Sequence, residues 1–240
     1  MTSEVLGEAW EVYRRIWRRS VPVAGLVFAV VSLGTALAGS TRSLGAVLVS
    51  LVLSLLGSLL VQGALVEVVG DLHEGRTPAP LGDYYTRTRA VLGTLLGVSL
   101  LAALGIACGF ILLIVPGLIL FARWSLVVPL VMLERLGVSE AFARSSALVR
   151  GKTGRVLLTV LVAEILSAVA NTILNLAFSS LPSFWSVWIG GTVAGALVTP
   201  YTAHVLTVLY YRLTEPERPV LPSAPEHESW RSIWDDEPPK

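Results

Sequence analysis

Cysteine is nearly absent from this chain. The single one, Cys108, has no partner among the 240 residues, which excludes an intramolecular disulfide and any CxxC-type metal or redox site and leaves it the role of a small packing residue. Charge is scarce as well: 15% of residues are charged against 54% hydrophobic, with a mean hydropathy of +0.71. A soluble domain of this length has no core large enough to hide so much apolar surface. Catalytic motifs are missing too. There is no HExxH for a metalloprotease, no GxSxG elbow for a hydrolase and no glycine-rich phosphate loop carrying Lys and Ser/Thr. His73 with Asp71 and Glu74 is the one compact titratable group around a histidine, and one imidazole with flexible carboxylates defines no coordination geometry, so it reads as solvated loop. No metal, cofactor or catalytic role is expected.

What the chain has instead is apolar length. Stretches at about 21–38, 45–66, 90–114, 117–133, 155–178 and 185–210 each approach the ~20 residues that a helix needs to cross ~30 Å of hydrocarbon. The predicted class is therefore all-α and polytopic, with six transmembrane helices. Residues 90–133 are almost unbroken apolar sequence, about twice one span, and Pro116-Gly117 is the expected place for a hairpin.

Positive charge alternates with these stretches. Arg14, Arg15, Arg18 and Arg19 precede the first; Arg76, Arg87 and Arg89 follow the second; Arg135, Arg144, Arg150, Lys152 and Arg155 follow the fourth; Arg212, Arg218, Arg231 and Lys240 end the chain. Only Arg42 and Arg123 fall elsewhere, so the positive-inside rule places both termini in the cytoplasm. The first apolar run follows a long arginine-rich segment and has the length of an anchor, which predicts an uncleaved first span.

Two amphipathic segments precede spans. Residues 3–19 put Leu6, Ala9, Trp10, Tyr13, Ile16 and Trp17 on one helical face, which predicts an interfacial helix with Trp10 and Trp17 at headgroup level and Arg14, Arg15, Arg18 and Arg19 toward anionic phospholipid. A second interfacial helix is predicted over 139–150, from Ser139 as N-cap to Arg150, with Gly151 just beyond. Gly7-Glu8-Ala9-Trp10 beside Ser139-Glu140-Ala141-Phe142, with a weaker copy near Asp83-Tyr84-Tyr85, suggests three repeated units, each an amphipathic helix plus a hairpin. The domain reading is an interfacial helix at 1–20, a six-helix domain at 21–212 and a proline-rich acidic tail at 213–240, which is expected to be disordered.

The stretch Arg123-Trp124, Val127-Val128-Pro129, Met132-Leu133-Glu134, Gly137-Val138, Glu140-Ala141-Phe142, Ser145-Ser146 and Leu148-Val149-Arg150-Gly151, with the Ile114-Val115-Pro116-Gly117 turn before it, resembles the bacterial membrane domain found fused to glycerophosphodiester phosphodiesterases and its stand-alone relatives. That resemblance implies six helices and a bacterial inner membrane. It implies no catalysis, because the phosphodiesterase chemistry of fused members belongs to a separate barrel domain for which this chain has no room.

Charges inside the spans are the sharper lead. Arg123 and Glu164 each lie ~14–16 Å from the cytoplasmic end of their helix at ~1.5 Å per residue, a depth at which they can face one another. Either the pair holds two helices together, or with Glu67, His204, Asn171 and Asn175 it lines a polar site for a lipid headgroup or an ion. In the tail, Trp230, Ile233 and Trp234 form a one-turn apolar face suited to a protein partner or the membrane interface. Nucleic acid is not an expected partner, since topology accounts for the cytoplasmic positives. Two functions remain: a non-catalytic membrane scaffold engaging lipids or a partner at the cytoplasmic leaflet, or a small transporter or channel using polar residues within the bundle.

Overall fold

The computed structural model describes residues 2–41, 43–77 and 79–215. Those residues form helices and no strand, and six helical segments are long and apolar enough to cross a membrane, which makes this an all-α, multi-pass architecture. In chain order the elements are α1 (Thr2–Thr41), α2 (Leu44–His73), α3 (Leu81–Ala90), α4 (Leu92–Leu112), α5 (Ile114–Trp124), α6 (Val127–Leu133), α7 (Val138–Val149), α8 (Thr153–Ala177), the short α9 (Ser183–Trp185), a π-helical turn (Ser186–Gly190) and α10 (Gly191–Thr214). A short amphipathic helix followed by a hairpin recurs as α3 with α4 to α6 and as α7 with α8 to α10.

Residues 2–20 do not form a helix of their own. α1 runs unbroken through residue 20 and past Pro22, for 40 residues, about twice the length that hydrocarbon requires. The reason lies opposite it. α10 runs antiparallel along α1, with Glu8 beside Arg212, Ser20 beside His204, Gly25 beside Ala196 and Gly191 beside Ser32. Val5, Ala9, Val12 and Ile16 are consequently buried in protein, and Trp10 and Trp17 are half-exposed. Part of the face predicted to lie in headgroups, Ala9 and Ile16, is thus covered by protein, while Trp10 and Trp17 remain outside that contact.

α2 outlasts its expected span by two turns, and Glu67 to His73 are all buried at its end. The hairpin between the third and fourth spans turns one helical turn earlier than Pro116-Gly117. Leu113 is extended (φ −163°, ψ 150°), and Pro116 falls in the first turn of α5, where its missing N–H is tolerated. Gly117 serves close approach instead: a Cβ on Gly109 would lie 2.9 Å from Gly117 Cα, so the two helix backbones nearly touch. The fourth span is split at Ser125-Leu126 into α5 and α6.

α7 matches expectation within a residue, with two details changed. Its N-cap is Gly137 rather than Ser139, and Glu140 reaches back to accept the Gly137 N–H (3.0 Å). Gly151, with φ +78°, takes the left-handed conformation that ends the helix region. Cys108 is exposed on α4 rather than packed inside. α10 continues to Thr214, beyond the expected domain end at 212, and Trp230, Ile233 and Trp234 lie outside the described residues.

Filling the α4–α5 contact is expected to cost stability. Gly109→Ala should lose ~1–3 kcal/mol through overpacking, read as a lower unfolding midpoint in detergent. Gly93→Ala, on the open face of the same helix with nothing within 4 Å of its added Cβ, should be neutral or slightly stabilising.

Candidate functional site

The six polar residues expected within the spans do not converge. They separate into three arrangements, each decided by what lies across from it.

Glu67 belongs to an ion cluster at the end of the bundle where α1 begins and α10 ends. Glu67 and Asp71 stand one turn apart on α2, both buried, at 4% and 2% exposure. Arg87 of α3 lies between them, its Nη1 at 3.3 Å from Glu67 Oε2 and 3.6 Å from Asp71 Oδ1. Arg135, in the turn between α6 and α7, donates to Glu67 Oε1 (2.6 Å), and Arg76 donates to Asp71 Oδ1 (2.7 Å). Arg135 adopts φ +54°, a costly conformation for a side chain with a Cβ, and its guanidinium in that pose ties α6–α7 to α2. The carboxylates are buried while the guanidiniums are partly exposed, an arrangement that matches arginine's weak hydration and forked donors.

Neighbouring groups extend this cluster. Tyr84 is fully buried on α3, accepts the Ala79 N–H (3.1 Å) and lies under the Arg87 guanidinium, while Arg19 donates to the Ala79 carbonyl (3.3 Å). Burial, with the Asp71 carboxylate adding to it, pushes the Tyr84 phenol up to about 12. His73 stacks on the Tyr211 ring at 3.7 Å and contacts Glu215 at 3.4 Å. Glu134 accepts from the Tyr210 hydroxyl (3.0 Å) and from Arg144 (3.3 Å). Asp71 and His73 are thus buried structure rather than solvated loop, because α3 and α10 close over the end of α2.

The cluster's chemistry is structural. Both Glu67 oxygens are held by guanidinium donors, so neither is free to act as a general base. Among the described residues no three His, Cys, Asp or Glu side chains gather to hold a metal ion.

His204 is fully buried at the α1–α10 contact, its Nε2 bonded to Ser20 Oγ at 3.1 Å and its Nδ1 without a partner. Pro22 of α1 and Pro200 of α10 lie within about a turn of this bond, each on its own helix. Arg123 and Glu164 form no pair. Both are exposed, although their helices pack together, and Arg123 contributes only its backbone carbonyl, which accepts from Ser145 Oγ (2.6 Å). Asn171 and Asn175 are also exposed and bond to each other, Asn175 Nδ2 donating to Asn171 Oδ1 (2.5 Å).

The interfacial residues divide as well. Trp10, Arg14, Trp17 and Arg18 are exposed, and their i, i+4, i+7, i+8 spacing places them on one face of α1, opposite Val5, Ala9, Val12 and Ile16. Arg15 and Arg19 turn toward the protein and are half-buried. Comparison of the chain with protein-family models, with curated proteins and with solved structures gave no match.

Sequence reasoning missed Arg87, Arg135, Asp71, Tyr84 and Ser20. A signal was present for Asp71 alone: with Glu67 it sets two acids one turn apart at the end of an apolar run, and such acids have to find cations, though the sequence does not say which.

The cluster predicts strong non-additivity. Arg87→Gln with Arg135→Gln strands Glu67 without a cation and should cost ~3 kcal/mol, more than the two single changes together, since each alone leaves Glu67 one guanidinium. Adding Glu67→Gln should recover most of that loss in a detergent unfolding midpoint. Tyr84 predicts an alkaline limit. Its phenol ionises near ~10 when unfolded but only near about 12 when folded. Its contribution is therefore complete below the unfolded value and is lost as pH rises toward 12. The unfolding midpoint should fall across that window, less steeply in Tyr84→Phe.

Proposed function

We propose that this protein is a non-catalytic integral membrane scaffold that engages anionic phospholipid at the leaflet beside its two described chain ends. The observation that carries this reading is the outward face of α1. Two tryptophans and two arginines alternate there, Trp10, Arg14, Trp17 and Arg18, all exposed, on a helix whose opposite face is already satisfied by α10. Indole rings favour the headgroup level, and guanidinium groups one helical turn apart suit phosphate oxygens. That face lies at the end of the bundle that gathers most of the chain's positive charge, which supports a cytoplasmic orientation for both termini. The resemblance of residues 115–155 to the phosphodiesterase-linked membrane domain favours a bacterial inner membrane.

A transporter or channel is the second reading. Its support is the pair of proline-bearing helices, α1 and α10, which share the buried Ser20–His204 bond. Solute-dependent flux into liposomes would favour it over the scaffold.

Lipid retention tests the first reading. In native mass spectra of gently solubilised protein mixed with phosphatidylglycerol, the wild type should retain the lipid. Arg14→Gln with Arg18→Gln should lower retention by about 30-fold, from ~1 kcal/mol per arginine. Equal retention by wild type and double variant would remove the reading.

A further inference from the structure

We propose that the outward face of α5 and α8 is an interface with a second copy of this chain, in which Arg123 of each copy pairs with Glu164 of the other. Two opposite charges stand open on this face. Arg123 on α5 and Glu164 on α8 are both exposed, and neither side chain has a hydrogen bond or ion pair among the described residues. Each lies about two and a half to three turns in from the end of its span, measured from Leu133 and Arg155, so the two sit at similar depth. Apolar side chains surround them. Ile119 on α5, with Leu161 and Ile165 on α8, is exposed at 39%, 38% and 53%. The position is therefore inside the apolar belt, where a lone charge is costly and a partner is the ordinary resolution.

The identity of the partner follows from the arrangement of charge. A protein covering this face has to offer an acid opposite Arg123 and a base opposite Glu164, at one depth in the membrane. The face itself carries that set. A two-fold axis along the membrane normal preserves depth and turns the face onto a copy of itself, so that Arg123 meets Glu164 twice. Asn171 and Asn175 extend the same side of α8, at i+7 and i+11 from Glu164. Among the described residues their amides bond to each other and to the α8 backbone, leaving donor and acceptor capacity for a helix across the axis. The interface is independent of the lipid face on α1, and its failure would leave that reading standing.

Charge exchange between two differently tagged, co-expressed copies tests the pairing. Wild-type copies should co-purify. Arg123→Glu alone and Glu164→Arg alone should each lose self-association by at least roughly tenfold, because like charges then meet across the axis. One copy carrying Arg123→Glu and the other Glu164→Arg should co-purify again, as should two copies of the double exchange. A wild type found only as a monomer, or single exchanges that associate normally, would overturn the proposal. So would a double exchange that restores yield without association, since the pair would then lie within one chain. A second measurement stands even if the single exchanges fold poorly. In a Cys108→Ser background, Asn171→Cys should form a disulfide-linked dimer on oxidation in native membranes, whereas Leu51→Cys on the exposed face of α2 should not. The reverse pattern would overturn the interface.

Discussion

Inside hydrocarbon, apolar side chains gain nothing by leaving lipid for protein, so helices associate through close packing and the few hydrogen bonds they can share. The contact of α1 with α10 is where this chain meets that constraint. Small residues let the two backbones approach: Gly25 meets Ala196, Gly191 meets the Ser32 side chain, and Gly195 seats the Phe28 ring. Polar groups then use the proximity. Ser20 bonds His204, and Trp188 donates to the Ala29 carbonyl (3.1 Å). The contact persists to the ends of both helices, where the Glu8–Arg212 pair closes it at 2.8 Å. The first and last long helices are thereby joined along their length, and α2 and α8 pack on the seam between them.

A different solvent governs the end of the bundle where both described termini lie. There α2 passes beyond its apolar stretch, and the chain can place full charges in its interior because guanidinium groups reach them from the surface. Glu67 and Asp71 draw in α3 through Arg87, the α6–α7 turn through Arg135 and the following loop through Arg76. Three connections are thereby tied to two carboxylates on one helix. The unfavourable backbone of Arg135 is the counterpart of that specificity. Such a cluster is a demanding way to hold helices, since removing one cation leaves a buried charge, and its worth lies in fixing one arrangement of the loops rather than in net stability.

Elements that depend on local pattern were legible in the sequence. The six spans follow from apolar length, and α7 from its period and from Gly151, because both signals act within one helix. What depended on the opposite surface was not legible. Of the face read from Leu6, Ala9, Trp10, Tyr13, Ile16 and Trp17, Ala9 and Ile16 are buried together with Val5 and Val12, while Trp10 and Trp17 stay exposed, so the separate interfacial helix was an inference about environment that periodicity cannot supply. Pro116 marked the hairpin only to within a turn, because proline is tolerated in the first turn of a helix as readily as in the loop before it. Equal depth made Arg123 and Glu164 a reasonable pair, yet depth along a helix says nothing of rotation about it, and both side chains point out of the bundle. The Glu67 cluster joins residues 20 and 68 positions apart, a separation that no local signal spans.

Sorting the polar groups by whether the chain satisfies them separates architecture from interaction. Glu67 and Asp71 have their partners within the chain, as does the Nε2 of His204, and their removal should be felt as instability. Arg14 on α1, and Arg123 and Glu164 on the α5–α8 face, are directed outward in a molecule with little charge to spare. In water an exposed arginine needs no explanation. Beside lipid it does, because each exposed charge has to find a headgroup, a water-filled path or another protein. The tryptophans beside Arg14 favour the first of these for α1. On α5 and α8, a charge of each sign at one depth among leucine and isoleucine favours the last, since a single phosphate would answer Arg123 and leave Glu164 unanswered.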